Sequence, residues 1–386
     1  MKFNALVPES PYIFRYLAYV LLSQAKQSVY DYKYFSNVRF KGGGSASLEK
    51  KVESIGDVDF NVKGVKHTLN ALVSGTDTLS FLVVKDGKII FQHYSDGVGE
   101  ETPLLSYSVT KSFFSSYLSR LQQFGVFSFS DMLDQHNQNM PSFIGKRTMQ
   151  SLMNMESGIR YIHGKSPSTD MVRFWFSPNV KNDLLSIKQD VSGQSYFLYN
   201  DIHLHLLYRM LDNKLFDVAS DFYHSIWKSF DMTYDGLLMQ DSSKRKWLKM
   251  DGGLSLTAYD MAKFGQIYLN NGKVNENQIL PLEWCQDIKK STNTRMDLEY
   301  WDLYRQINHR WYPVFKEGRT YYKNFWWGTE QENGPNDIYA MGILGQFVYV
   351  SSKNNVVIVR QGNSWGIEGW WPSIFEKLAE KVNEII

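Results

Sequence analysis

The sequence lacks several features that mark whole classes of protein. Its only cysteine is Cys285, which excludes an internal disulfide and a metal cluster held by cysteines. Its net charge is only +2, from 42 basic and 40 acidic residues, and no basic run stands out. Such a balance creates no field that would attract nucleic acid or a membrane surface, so we expect neither as a partner.

Long apolar runs are absent as well. No stretch reaches the roughly 18 consecutive apolar residues that a membrane-spanning helix needs. The nearest one, residues 12–25, is interrupted by Arg15 and Ser23, and it makes a poor signal peptide because a charge lies inside its apolar part. The sequence therefore predicts no membrane span and leaves the compartment open, with the cytoplasm slightly favoured over the periplasm.

What the chain does contain indicates an α/β layer with a helical insertion. Its 43% apolar and 21% charged residues are typical of a packed globular protein. Two hairpins are predicted, with strands at 79–84, 89–91, 347–350 and 356–359. Residues 110–245 are mostly helical in pattern, and an amphipathic helix closes the chain. The expected fold class is α/β (α+β), with an antiparallel sheet flanked by helices and an inserted all-helical domain.

This order of elements predicts three parts. Residues 1–60 are interpreted as an N-terminal extension, residues 61–120 and 246–386 as an α/β domain, and residues 121–245 as a helical insert domain. The length of 386 residues suits such a division or one large core with an insertion.

A serine and a lysine three residues apart begin one apolar helical pattern. Residues 108–111 read Ser-Val-Thr-Lys, and because residues three apart share a helix face, the Lys111 nitrogen can reach the Ser108 oxygen. A lysine whose pKa is lowered by burial can take the serine proton and make the serine a nucleophile. The same spacing also occurs at Ser23, Ser47, Ser225 and Ser243. Alternatively, Ser106 or Ser108 could simply cap this helix.

Two further segments could complete a catalytic group. Tyr199 precedes a short apolar helix, and a cation such as Lys111 would lower its pKa from about 10, so that it could shuttle a proton to a leaving group. Gly345 lies at the start of a strand, where the Gln346 N–H could be the second donor of an oxyanion hole beside that of Ser108. The alternatives are that Tyr199 only packs against the start of its helix and that Gly345 only forms a turn.

The order of these segments resembles that of the serine β-lactamase and penicillin-binding superfamily. The chain is most similar to the class C β-lactamase-like hydrolases, which include esterases and 6-aminohexanoate-dimer hydrolase. The resemblance runs from about Leu79 to the C-terminus, and four stretches carry it in the family order, at residues 82–87, 106–112, 148–158 and 251–262. It implies a β-lactamase/transpeptidase-like fold, with the active site where the sheet domain meets the helical insert.

The resemblance also implies a role for each site residue. Ser108 matches the nucleophile, Lys111 the lysine that activates it, and Tyr199 the tyrosine that works with the lysine in proton transfer. The backbone N–H groups of Ser108 and Gln346 match the oxyanion hole. The implied reaction is acyl transfer to the serine and then hydrolysis of the acyl-enzyme, with no metal and no organic cofactor.

Two departures from the family pattern narrow the expected substrate. The Tyr-x-Asn motif appears at residues 199–201 as Tyr-Asn-Asp, and an ionised Asp201 cannot donate a hydrogen bond. The third motif, Lys-Thr-Gly or His-x-Gly in the family, appears at residues 343–345 as Ile-Leu-Gly, without the cation that helps to hold a substrate carboxylate. A small neutral ester or amide is therefore expected, with substrate contacts from Asp201, Gly345 and Trp327.

Other interpretations stay open. One is a catalytically weak or silent relative that binds a ligand or a cell-wall fragment, and another is a true β-lactamase or D-Ala peptidase. Residues 362–366 match the Gly-x-Ser-x-Gly elbow of α/β-hydrolases, but no histidine or aspartate follows Ser364. His203 and His205 lack the spacing of a zinc pair. The sequence leaves the oligomeric state open.

Overall fold

Strands from both ends of the chain and helices from its middle form the fold. The structure is a computed structural model, and it describes residues 10–45, 47–137, 140–187, 197–291, 314 and 318–386. Within these ranges, helices α1 to α12 span Tyr12–Ser23, Leu69–Ser74, Val109–Gln123, Ser142–Gly145, Met149–Met153, Asp170–Phe176, Val180–Asp183, Ile202–Lys214, Val218–Phe222, Ala258–Leu269, Leu282–Ile288 and Trp371–Ile385. Strands β1 to β16 span Ser36–Phe40, Glu49–Lys50, Phe60–Val62, Val65–His67, Thr78–Lys85, Lys88–Tyr94, Leu104–Leu105, Gly236–Gln240, Leu254–Leu256, Lys273–Val274, Asn277–Gln278, Thr320–Lys323, Trp326–Thr329, Asp337–Gly342, Gln346–Ser351 and Val356–Gly362. None of the described helices is long and apolar enough to cross a membrane.

An eight-stranded sheet forms the centre of the molecule. Its strands lie in the order β12-β13-β14-β15-β16-β5-β6-β2, and every neighbouring pair is antiparallel except the short parallel pair of β2 and β6. Asp86 and Gly87 form the turn between β5 and β6, with φ angles of 51° and 76°, as a type I′ turn requires. The predicted antiparallel sheet is confirmed, and its two hairpins are joined where β16 pairs with β5.

Helices cover both faces of this sheet, which explains why its strands are so apolar. Along β15, the rings of Phe347 and Tyr349 contact Phe375 of α12 at centroid distances of 5.3 and 5.6 Å. Val348 points to the other face, where α10 packs so closely that a Cβ on Gly265 would lie 2.9 Å from the valine side chain. Because successive side chains of a strand point to opposite faces, α10 and α12 lie on opposite sides of the sheet.

A second, four-stranded sheet brings the N-terminal region into the fold. Its order is β1-β8-β9-β7, and Val38 of β1 lies opposite Leu238 of β8. The structure therefore differs from the predicted division at two points. Residues 36–40 are a strand of the fold rather than part of an extension, and residues 236–240 are a strand inside the range predicted to be all-helical. Both strands have only five residues, so their patterns are weak signals in the sequence.

Helix α3 is buried on almost every side, and this fixes what lies at its start. Twelve of its 15 residues are buried, and four of these are serines. Their hydroxyl groups have partners inside the protein: Ser112 donates to the Phe325 carbonyl oxygen at 2.8 Å, and Ser115 donates to the Asn324 carbonyl oxygen at 2.6 Å. Hydrogen-bonded hydroxyl groups are tolerated in a protein interior, so a serine-rich helix can pack against β14 and β15.

The packing of α12 on the sheet can be tested by truncating one ring. We expect Phe375→Ala to lower the free energy of unfolding by about 3–5 kcal/mol, because Phe375 is fully buried and contacts rings of two strands. Lys377→Ala, at an exposed position of the same helix, is the control and should change it by less than about 0.5 kcal/mol. Urea denaturation measures both. Equal small losses would contradict the packing described here.

Candidate active site

Ser108 lies immediately before α3, where an unusual backbone conformation precedes it. Tyr107 has a positive φ of 48°, which is uncommon for a large side chain and is found preferentially at functional sites. The Ser108 hydroxyl forms no capping bond to the helix. Its oxygen instead accepts a hydrogen bond from the Lys111 Nζ at 2.8 Å. The capping alternative is therefore wrong, and the predicted contact between Ser108 and Lys111 is present.

The Lys111 ammonium is buried and has three acceptors. Its side chain is 1% exposed, and its Nζ lies 2.8 Å from Oδ1 of Asp201. It also donates to the Ser108 oxygen at 2.8 Å and to the carbonyl oxygen of Asp251. An ammonium group has three N–H donors, so these three acceptors are enough to satisfy it. This complete set of partners is what allows a charge to be buried here.

Charged neighbours decide the protonation state of Lys111. Burial is the largest effect and by itself lowers its pKa, but the Asp201 carboxylate, Tyr199 and Asp251 together outweigh burial, so the pKa of Lys111 is raised. The predicted lowering of this pKa is therefore wrong. The physical reason is the carboxylate at position 201, where the family motif has an uncharged asparagine. It keeps the lysine an ammonium at neutral pH.

Asp201 lies just before α8 and faces both Lys111 and the open space beside Ser108. Its Oδ2 accepts a hydrogen bond from the Tyr161 hydroxyl at 2.7 Å. Burial by itself raises the pKa of this carboxyl, but Lys111 outweighs that effect and holds the pKa below its usual value. The neighbouring Asn200 points into the protein instead, where its amide donates to the Ile159 carbonyl oxygen at 3.1 Å. Asp201, rather than Asn200, therefore forms the ion pair with Lys111.

Tyr199 completes this hydrogen-bonded group. Its hydroxyl interacts with both Ser108 and Lys111, and the Lys111 Nζ lies 5.1 Å from the centroid of its ring. Burial raises the pKa of Tyr199 more than Lys111 lowers it, so the net shift is upward. The structure thus brings the three predicted residues together, but the predicted lowering of the tyrosine pKa is wrong.

Trp327 lies behind Tyr199 rather than beside the open space. The two rings stack with their centroids 5.8 Å apart and an angle of 23° between their planes. Tyr322 contacts the same tyrosine ring edge-on, also at 5.8 Å. Trp327 is 1% exposed and lines neither of the two cavities that contain Ser108. The expected substrate contact of Trp327 is therefore not found, and its ring fixes the orientation of Tyr199 instead.

A glycine at the end of β14 allows the sheet to approach Ser108. A Cβ on Gly342 would overlap the Ser106 carbonyl oxygen and lie 3.1 Å from the Ser108 nitrogen, so only glycine fits there. The next residue, Ile343, lines both cavities that contain Ser108. In the described part of the chain, the backbone N–H groups of Ser108 and Ile343 have no hydrogen-bond partner. Two unpaired donors thus lie at this point of closest approach.

The structure does not bring Gln346 and Gly345 to this point. Gln346 is fully buried and begins β15, opposite Gly342, and its side-chain amide donates to the Gly362 carbonyl oxygen at 2.7 Å. Gly345 has a φ of 80° and faces Arg360, whose guanidinium group would overlap a Cβ there. Neither residue lines a cavity that contains Ser108. The glycine that approaches the Ser108 backbone is therefore Gly342, three residues before Gly345. The sequence contained a signal for this contact, namely the glycine at position 342.

Two cavities meet at Ser108. The larger has about 850 Å³ of empty space and the smaller about 570 Å³, and both include space open to solvent. Both are lined by Ser108, Met171, Asp201 and Ile343. The larger cavity extends toward the apolar and aromatic side chains of α1 and α6, namely Tyr16, Tyr19, Val20, Val172, Trp175 and Phe176. The smaller extends toward His163, Tyr199, Met341, Gly342 and Trp365.

Carboxylates outnumber cations along the larger cavity. Asp31, Asp201 and Asp251 line it, whereas Lys165 is the one lysine or arginine among its described lining residues. Burial raises the pKa of Asp31 to about 6, so that this carboxyl is mostly ionised at neutral pH, and its Oδ2 accepts a hydrogen bond from Tyr19 at 2.7 Å. This balance disfavours a substrate with a negative charge near the reacting carbonyl.

Two buried histidines lie nearby without forming a metal pair. His205 Nε2 lies 3.6 Å from the Asp251 Oδ1, and its Nδ1 accepts a hydrogen bond from Trp247 at 3.3 Å. His203 contacts the Ser157 hydroxyl at 2.6 Å. Burial lowers the pKa values of His205 and His203 to about 4 and about 3, so both are neutral at neutral pH. Within the described ranges, no cluster of three or more His, Cys, Asp or Glu residues could hold a metal ion.

A match to a protein family agrees with this geometry. The family model described as Beta-lactamase matches residues 65–366, which is most of the chain. The chain belongs to the beta-lactamase family. The predicted family and the predicted β-lactamase/transpeptidase-like fold are thereby confirmed, and the chain is a serine hydrolase of the beta-lactamase superfamily.

Individual relatives of this beta-lactamase-family chain include proteins named 6-aminohexanoate-dimer hydrolase and a class C beta-lactamase. This chain is 20% identical over 308 residues to 6-aminohexanoate-dimer hydrolase of Paenarthrobacter ureafaciens, across 75% of this chain and 73% of that protein. Its fold is similar to that of a Bacillus anthracis protein provisionally named 6-aminohexanoate-dimer hydrolase, with a TM-score of 0.78, 20% identity and coverage of 100% of this chain and 98% of that one. A class C beta-lactamase from Rhodobacter sphaeroides has a TM-score of 0.57 and 11% identity, over 81% of this chain and 97% of its own.

The close approach at Gly342 predicts a measurable loss of stability. A methyl group in Gly342→Ala would overlap the Ser106 carbonyl oxygen, and we expect the forced shift of backbone to cost about 1–3 kcal/mol in free energy of unfolding. Gly369→Ala is the control, because nothing lies within 4 Å of a Cβ there. Chemical denaturation compares the two. A Gly342→Ala protein as stable as the control would show that β14 and the start of α3 are not in contact.

Proposed function

We propose that this chain hydrolyses a small uncharged ester or amide through an acyl-enzyme at Ser108. The hydrogen-bonded group of Ser108, Lys111 and Tyr199, in which Ser108 lines both cavities and Tyr199 lines the smaller one, carries this proposal. A serine oxygen within hydrogen-bond distance of a base, which is itself oriented by further partners, is the general arrangement of an activated nucleophile. The family membership supports the same chemistry.

The reaction begins when the Ser108 oxygen attacks the carbonyl carbon of the substrate. The serine proton passes to the pair of Lys111 and Tyr199, and Tyr199 gives a proton to the leaving oxygen or nitrogen as its bond to the acyl carbon breaks. Water then attacks the ester formed at Ser108. The pair takes a proton from this water and returns one to the serine, which releases a carboxylic acid and restores the starting state.

The negative charge that develops on the attacked oxygen needs donors already in place. In this proposal they are the backbone N–H groups of Ser108 and Ile343. Their unpaired state and the close contact of Gly342 with the Ser108 nitrogen support the assignment. The Ser108 N–H also lies at the positive end of the α3 dipole, which favours an oxyanion. Ile343 replaces Gln346, which lies away from both cavities.

The preference for an uncharged substrate follows from the charges around the site. The third motif supplies an isoleucine where the family has a cation, and three carboxylates line the larger cavity. A β-lactam or D-Ala peptide would add its own carboxylate to these three, with Lys165 as the one lysine or arginine among the described lining residues, and this costs free energy in a partly buried site. The name of the Paenarthrobacter relative adds weight to a linear amide as one substrate class.

The ion pair of Lys111 with Asp201 favours a second candidate, a weak or silent relative that binds a ligand. Because the pKa values of Lys111 and Tyr199 are both raised, the pair carries all its protons at neutral pH. One proton must leave before the pair can act as a base. A protein that never loses this proton would bind a carbonyl compound without hydrolysing it.

A fluorophosphonate probe tests the nucleophile directly. We expect the probe to label the wild-type protein once, at Ser108, and Ser108→Ala to remove both the label and the turnover of p-nitrophenyl acetate. Ser364→Ala is the matched control, since Ser364 belongs to the competing Gly-x-Ser-x-Gly pattern and donates to Asp77 at 2.7 Å; it should be labelled like wild type. Intact-mass spectrometry reads the labels. Labelling that persists in Ser108→Ala would overturn the proposal, and no turnover beyond Ser108→Ala would favour the silent relative.

The raised pKa values predict an alkaline dependence of activity. The base form is scarce below the raised pKa and grows as pH rises toward it, so kcat/KM of wild type should increase with pH. Asp201→Asn removes the charge that raises the pKa of Lys111, and this increase should move to lower pH by about 1–3 units. The measurement is kcat/KM against pH, corrected for spontaneous hydrolysis.

The control for this profile is Tyr161→Phe. It removes the hydrogen bond from Tyr161 to Asp201 but keeps the charge, so its profile should stay close to that of wild type. Identical profiles for wild type and Asp201→Asn would show that the carboxylate does not set the protonation of Lys111.

A further inference from the structure

Helix α1 forms one wall of the larger cavity beside Ser108. Tyr16, Tyr19 and Val20 line this cavity together with the α6 residues Trp175 and Phe176. The ring of Tyr19 lies 5.1 Å from that of Phe176, and the ring of Tyr16 lies 5.4 Å from it. The residues before the family match at 65–366 therefore take part in the site rather than extending away from it.

Hydrogen bonds fix α1 to a neighbouring loop and to Asp31. Tyr16 donates to the carbonyl oxygen of Lys165 at 2.9 Å, and Tyr12 donates to that of Pro167 at 3.0 Å. Tyr19 donates to Asp31 at 2.7 Å, and both residues line the same cavity. The helix is thus fixed to a loop whose residues Gly164 and Lys165 also line the cavity, so its cavity-lining side chains are held in place.

The position of Tyr199 indicates which cavity would receive the leaving group and which would receive the acyl group. Tyr199 lines only the smaller cavity, and in the proposed reaction it gives a proton to the leaving group. The leaving oxygen or nitrogen must therefore lie on that side of Ser108. The acyl group is attached to the other side of the same carbonyl carbon, so it extends into the larger cavity, along α1.

From this arrangement we propose that α1 selects the acyl group by length, taking an uncharged apolar acyl chain whose far end meets Tyr16 and Val20. This inference rests on the proposed function, because it needs an acyl group at Ser108. The side chains of Val20, Trp175 and Phe176 suit an apolar chain, while Asp31 and Asp251 oppose a second carboxylate at its end. The chain length is then set by the space between Ser108 and α1.

Substitutions in α1 that enlarge or fill the larger cavity test whether this helix selects the acyl group. We compare kcat/KM for p-nitrophenyl octanoate with that for p-nitrophenyl acetate. Tyr16→Ala enlarges the cavity and should raise the ratio of octanoate to acetate by about tenfold or more, whereas Val20→Phe fills it and should lower the ratio by a similar factor, since misfit in an apolar pocket typically changes rates by about 10–200-fold. The ratio cancels losses common to both substrates.

Two controls separate pocket shape from other effects. Phe14→Ala changes the outer face of the same helix, where Phe14 is 55% exposed, and should keep the wild-type ratio. Tyr16→Phe keeps the ring but loses the hydrogen bond to Lys165, and it should also keep that ratio. If Tyr16→Ala does not fold, Val20→Phe with a wild-type circular dichroism spectrum decides the matter.

Different results would overturn the role of α1 and the proposed function. Unchanged ratios in Tyr16→Ala and Val20→Phe, with turnover that still depends on Ser108, would overturn the role of α1 alone. A changed ratio in Phe14→Ala equal to that in Tyr16→Ala would also overturn it. Wild-type turnover of both esters no faster than that of Ser108→Ala would overturn the proposed function and this inference together.

Discussion

The buried ammonium of Lys111 is the charge around which the candidate site is arranged. It lies on a helix with almost no exposed surface, and it needs three acceptors because an unpaired buried charge is strongly destabilising. Ser108 supplies one acceptor, Asp201 the second and the Asp251 carbonyl the third. These partners come from separate segments of the chain, so the same interactions that stabilise the charge also bring the predicted reactive groups into contact.

The end of β14 provides the second constraint. Gly342 lets the sheet touch the backbone just before α3, where Tyr107 has a positive φ. Helix α3 is held by buried hydrogen bonds and the sheet is covered on both faces, so neither element can retreat from this contact. The unpaired N–H groups of Ser108 and Ile343 are thereby fixed at the edge of the same cavities, and donors fixed in advance need no reorganisation when charge develops on a substrate.

The N-terminal region adds a surface that the family match does not include. Residues 65–366 carry the match, whereas α1 and β1 come earlier in the chain. β1 is an edge strand of the second sheet, and α1 closes one side of the larger cavity. The reactive group thus belongs to the family core, while part of the wall that a substrate would meet comes from outside it. Chemistry and substrate choice can therefore change separately in such a fold.

The sequence determined what depends on local spacing. Ser108 and Lys111 are one helical turn apart, the Asp86-Gly87 turn fixes its hairpin, and Tyr199 was predicted at the start of its helix. Only the tertiary structure decided the sign of the pKa shifts, because Asp201 is distant in sequence from Lys111 yet 2.8 Å away in space. It also decided that Gly342 and Ile343 meet Ser108 instead of Gly345 and Gln346, that Trp327 supports Tyr199, and that α1 lines the cavity. Each of these features depends on which distant segments pack together, and the local spacing of residues does not determine that packing.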